Sequence, residues 1–148
     1  MSLETEIMVR MKEAMKAKDE AALRGLRAIK AAILLLKTSG NESITAEDEL
    51  KMLQKMVKQR QDSLDIFRQQ NRADLAQKEE EEIRIIEQFL PQQMSAAEIK
   101  IALQEIIAEV GAADIKDLGK VMGVATKKMA GRADGKIISA MTKELLSA

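Results

Sequence analysis

Apolar residues recur at spacings of three, four and seven through most of the chain, and a single proline, Pro91, interrupts them. Such spacing gathers them on one side of a helix with 3.6 residues per turn. Leu3, Ile7, Met11 and Met15 form a first such face. Residues 20–37 continue as a helix after the charged break at Lys18-Asp19. TSGNES (38–43) supplies turn chemistry, and Thr45 with Asp48 forms an N-capping signature. Leu50, Leu53, Val57, Leu64 and Phe67 then trace a narrow seam along a long helix, suited to a helix hairpin. A break is expected around Gln70-Asn71-Arg72, with a fourth helix from about Asp74 to Phe89.

Pro91 ends that fourth helix, because the residue before a proline is pushed out of helical geometry. Beyond it, Ser95 and Glu98 spell a capping box, with Met94 and Ile99 at the hydrophobic-staple positions. A fifth helix follows to Val110 and closes on Gly111. Asp114 can cap a sixth, which Gly131 terminates, and a seventh runs from near Asp134 to Leu146. No strand pattern occurs. The domain boundary falls near Pro91, with the larger helical region before it.

Composition removes whole classes of chemistry. The 148 residues include no His and no Cys, so imidazole bases, thiolate nucleophiles, disulfides and ordinary structural zinc sites are excluded. The acidic run Glu79–Glu82 lacks metal-ligand spacing and reads as a solvated helix flank. Phe67 and Phe89 are the only aromatics, so the core is expected from aliphatic residues and ten methionines at core spacings. The longest apolar stretch, AIKAAILLLK (28–37), is too short to span a bilayer. With no apolar leader at the start, a soluble cytoplasmic protein without cofactor, metal or membrane contact is expected.

The net charge is zero, but residues 116–148 carry seven basic and three acidic side chains. Within that end lies GKVMGVATKKMAGRADGK (119–136). Drawn as a wheel, Ile115, Leu118, Met122, Ala125 and Met129 share the core stripe of the sixth helix. Gly119, Gly123 and Ala130 flank that stripe, and Lys116, Lys120 and Lys127 lie just beyond them. Each interior glycine costs about 1 kcal/mol relative to alanine. Two readings compete. Small residues can admit a neighbouring helix, which is what spacing alone points to first. Alternatively, bare backbone beside a row of lysines can admit a sugar–phosphate chain. GRADG (131–135) reads as a tight helix–helix turn, with Gly135 small where chains crowd and Arg132 left over as solvated charge or a phosphate clamp.

LRGLRAIKAAI (23–33), KMVKQRQDSLDIF (55–67), ADLAQKEEEEIRIIEQFLPQQMS (73–95) and IKDLGKVMGVATKKMAGRADGKIIS (115–139) together resemble the GatB/YqeY family nearly end to end, in its stand-alone YqeY form. The resemblance implies an all-α fold of two helical bundles, a four-helix one over 1–90 and a three-helix one over 91–148. The same domain forms the tail of the GatB subunit of glutamine-dependent tRNA amidotransferase, so the resemblance implies a tRNA-contacting accessory module. It makes Lys116, Gly119, Lys120, Gly123, Lys127, Lys128, Arg132 and Lys136 the candidate tRNA contacts. The family-level activity is carbon–nitrogen ligation with glutamine as amido donor. No catalytic residue of this chain matches it, and the family's catalytic parts lie outside the tail. Without exposed aromatics, recognition would rest on shape and phosphates, not on base stacking. The rival expectation is a helical adapter without nucleic-acid affinity, docking on amidotransferase or aminoacyl-tRNA synthetase components. An enzyme built from carboxylates, lysines and serines is the third.

Overall fold

A computed structural model describes residues 2–40 and 43–147. Among them the chain is all-α, with seven helices, one short 3₁₀ turn and no strand. The helices are α1 (Leu3–Ala17), α2 (Glu20–Thr38), α3 (Ala46–Gln69), α4 (Ala73–Glu87), α5 (Ala96–Val110), α6 (Leu118–Lys128) and α7 (Gly135–Ser147). The chain divides into two compact units, Met1–Leu90 and Pro91–Ala148, so that α1–α4 lie in the first and α5–α7 in the second.

In the first unit, local chemistry sets each helix end. Lys18 takes a left-handed backbone (φ 55°), and Asp19 then accepts from the Ala22 amide at 3.1 Å, so α2 starts at once. Thr45 and Asp48 close a reciprocal capping box at the start of α3. Asn71 (φ 56°) turns the chain between α3 and α4. Part of the TSGNES turn, Asn41 and Glu42, lies outside the described residues. The core gathers Ile7, Leu23, Leu26, Ile29, Leu53 and Ile86. Met15 lies outside it, 53% exposed, because Ala14 takes the inward position at the end of α1.

Gly25 sets the spacing between α2 and α4. A Cβ added there would stand 2.8 Å from both Cβ and Cγ2 of Ile85, far inside contact distance. This buried glycine is where two helices require bare backbone.

The acidic run is not a solvated flank. Its four glutamates are half-buried, and three of them reach arginines on two other helices. Glu81 pairs with Arg24 of α2, while Glu80 and Glu82 pair with Arg68 and Arg60 of α3. Consecutive helical positions point in different directions, which is how one run serves two neighbours. Glu79 has an enclosed oxygen, Oε2, without a hydrogen-bond partner. Burial raises its carboxyl pKa above the usual range, and the Glu82 charge adds to the effect.

In the second unit, Ser95 and Glu98 form the capping box of α5, Met94 and Ile99 join one core cluster, and Gly111 closes the helix at φ 68°. Asp114 caps the 3₁₀ turn Ile115–Asp117, and α6 begins only at Leu118. α6 packs against α5 and α7. Leu103, Ile106, Val121, Ala125 and Ile138 form the centre of this core. The core stripe of α6 therefore differs from the wheel. Val121 is fully buried, and Ile115 is 47% exposed, because the 3₁₀ turn breaks the 100° register that would have placed it inward.

Candidate nucleic-acid interface

The direction of the core fixes the direction of the glycines. Val121 and Ala125 point inward, and at roughly 100° per residue Gly119 and Gly123 then lie on the opposite side of α6. Both are exposed, and a Cβ built on either would meet nothing within 4 Å. The packing reading of this strip fails within its own unit: no helix approaches it. Gly135 is likewise open, so the turn before α7 is not crowded there. Gly131, by contrast, is buried at φ 75°, but it does not end the helix as expected: α6 already stops at Lys128 with Met129 as its cap, and Gly131 turns the chain beyond it.

Lys120 and Lys127 share the outward face with the glycines, and both are exposed. Neither makes a salt bridge among the described residues. Thr126, which sequence reasoning passed over, also lies on this face, and its hydroxyl donates to the Met122 carbonyl at 2.8 Å. Its position three residues after Gly123 was the available signal. Two glycines, a short hydroxyl and two lysines thus form a low, positively bordered strip along one side of α6.

The remaining candidates are placed differently. Lys116 sits in the 3₁₀ turn, its amide donating to Asp114 Oδ1 at 2.9 Å while its side chain is exposed. Lys128 faces another way and pairs with Glu109 of α5 at 3.0 Å. Arg132 is half-buried, and its Nε donates to the Gln92 carbonyl at 3.1 Å, tying the turn after α6 to the segment before α5. That bond supplies the structural role which turn chemistry did not. Lys136 is exposed in the first turn of α7, its amide donating to Asp134 Oδ1 at 3.1 Å.

The acids near the strip are occupied. Asp117 accepts from the Ala113 amide at 2.9 Å, and this bond lowers its pKa, helped by Lys120. It therefore stays ionised while engaged in holding the loop before α6. No cluster of three or more His, Cys, Asp or Glu suited to a metal ion occurs among the described residues. No described helix is long and apolar enough to cross a membrane.

Comparison with known proteins places this geometry in context. The family model described as Yqey-like protein matches residues 4–146. An uncharacterised protein of Schizosaccharomyces pombe is 31% identical over 94 residues, covering 64% of this chain and 76% of its own length. A protein of Pyrenophora tritici-repentis named altered inheritance of mitochondria protein 41, mitochondrial, is 28% identical over 140 residues, 93% of this chain and 77% of that protein. The protein of the same name from Clavispora lusitaniae is 37% identical over 116 residues, 76% of this chain and 67% of its own length. The mitochondrial names overturn the expectation of a cytoplasmic protein, which rested on composition and on the charged start of the chain.

Proposed function

The chain belongs to the Yqey-like protein family, and from that premise we propose that it is a non-catalytic tRNA-binding accessory module whose contact surface is the outer face of α6. The observation that carries this reading is the exposed, unfilled backbone at Gly119 and Gly123 beside the unpaired Lys120 and Lys127. Gly123, in the interior of α6, costs that helix about 1 kcal/mol relative to alanine, and Gly119, in its first turn, adds a smaller cost. Internal packing does not account for that cost here. A phosphate chain that must come close to the helix backbone does.

The division of labour follows from the positions. Gly119 and Gly123 keep the approach low, and Lys120 and Lys127 neutralise phosphates alongside. Lys116 and Lys136 extend the positive border at the start of α6 and of α7. Lys128 and Arg132 act mainly on the protein itself, through Glu109 and the Gln92 carbonyl. Contacts of this kind position the protein without reading bases. Carbon–nitrogen ligation with glutamine as donor belongs, on this reading, to partners that carry the catalytic residues; amidotransferase and aminoacyl-tRNA synthetase components are the candidates.

The test is binding of unmodified tRNA, followed by fluorescence anisotropy. Lys120→Ala with Lys127→Ala should weaken binding of different tRNA species alike while leaving the circular dichroism unchanged. Gly123→Leu should weaken it as well, by obstructing the approach. Wild-type affinity in both variants would refute the proposal.

A further inference from the structure

The first unit carries a second unfilled surface, unrelated to the α6 strip and not needed for the tRNA reading. α2 packs mainly on α1 and α4 and touches α3 only sparsely. Along that gap Leu35, Leu36, Met52, Met56, Lys51 and Lys55 line a groove of about 490 Å³. Leu35 is 71% exposed and Leu34, beside it, 63%. Apolar exposure this concentrated on one helix end marks a contact surface more often than scattered leucines do.

We propose that this groove docks an amphipathic helix of a partner protein, one that sets leucine-type side chains into the trough and acidic side chains along its edge. Three observations choose this occupant. The floor is made by Met56, 6% exposed, and the half-buried Met52, beneath the level of Leu35. A planar bilayer cannot reach such a floor, whereas side chains at i, i+3 or i+4 and i+7 of a helix can. Methionine lining adapts to side chains of different shape. The charge is one-sided. Lys55 has no ion pair among the described residues, and Lys51 has only Glu47, one turn away at 3.3 Å in solvent. Asp48, the acid lining the groove, is committed to its capping bond with the Thr45 amide at 3.0 Å. Lys55 is therefore free to meet an acid brought by the incoming helix, and Lys51 can exchange its solvent-exposed pair with Glu47 for another.

The probe is a designed, fluorescently labelled peptide of about 18 residues, roughly five turns of helix, with leucines on one stripe and glutamates beside it. A second peptide replaces the glutamates by lysines. The full-length chain should bind the acidic peptide and not the basic one. Leu35→Asp should lower that affinity about tenfold or more, as expected for removal of a central anchor. Lys51→Glu with Lys55→Glu should reverse the preference, favouring the basic peptide, which a merely disturbed fold would not do. tRNA binding should be unchanged in these variants, so this proposal and the α6 reading fail separately. Equal binding of both peptides, or of neither, would overturn the proposal. So would Leu35-dependent binding to phosphatidylglycerol vesicles or Leu35-dependent self-association in sedimentation, either of which would assign the surface to a different occupant.

Discussion

Replacing Gly119 and Gly123 together by alanine should make the second unit more stable. Each glycine in a helix interior costs about 0.8–1.0 kcal/mol relative to alanine. A new Cβ at either position meets nothing within 4 Å, so there is no clash to offset the gain. Neither glycine needs a left-handed backbone; the positive-φ glycines are Gly40, Gly111 and Gly131. Only Gly123 is interior, since Gly119 is the second residue of α6, so the double variant should gain roughly 1 kcal/mol, with a smaller addition from Gly119. For a domain of this size each kcal/mol is worth about 4–8 °C, so the melting temperature should rise by at least about 4 °C. Urea denaturation followed by circular dichroism would measure the change, with an unaltered slope confirming that the folded state remains as compact. A double variant that melts earlier than wild type would refute the reasoning, because it would mean that something rests against this face.

Gly25→Ala should have the opposite sign. Overpacking against Ile85 costs about 1–3 kcal/mol and the helix gains about 1, leaving a loss of up to roughly 2 kcal/mol in the same denaturation assay. Glu79→Gln should stabilise the first unit at neutral pH and lose that advantage in acid. Its folded pKa is raised, so the native glutamate is fully favourable only below its unfolded pKa, and its penalty grows as pH rises through the folded value. Denaturation midpoints at pH 4 and pH 7 would show it, and an equal effect at both would contradict the burial argument. The fragment 91–148 has its own core cluster and should be helical and cooperative in melting when made alone. A non-cooperative melt would count against an independent unit.

The helix ends were legible because their chemistry is local. Thr45 with Asp48, Ser95 with Glu98, Asp19 and Gly111 act within a few residues of themselves, so their spacing in the sequence already contains the bond. Partners far apart in the chain were not legible. Nothing near Glu80–Glu82 announces Arg68, Arg24 or Arg60, and the run therefore read as solvated when it is the ion-paired border of α4. The glycines show the same limit from the other side. Gly25 and Gly123 look alike as interruptions of a helix, yet one lies against Ile85 and the other faces open space. Only the position of the neighbouring helix separates them. Ile115 left the stripe because the 3₁₀ turn before α6 breaks its register, while Val121, about 40° from Ala125 on the wheel, was passed over. The wheel already set Gly119 and Gly123 beside Lys120 and Lys127, while the partners of the other candidates were not legible. Gly119, Lys120, Gly123 and Lys127 belong together, and Lys128 and Arg132 are held by Glu109 and Gln92.

The central claim is that Lys120 and Lys127 neutralise phosphates of a tRNA lying along α6. The salt dependence of binding tests it most directly, since each phosphate contact contributes about 0.7–0.9 to the slope of log K against log salt. Titrating tRNA into wild type and into the Lys120→Ala, Lys127→Ala variant across a range of potassium chloride should show the slope falling by roughly 1.4–1.8 for two lost contacts. Identical slopes and affinities for the two proteins would contradict the account.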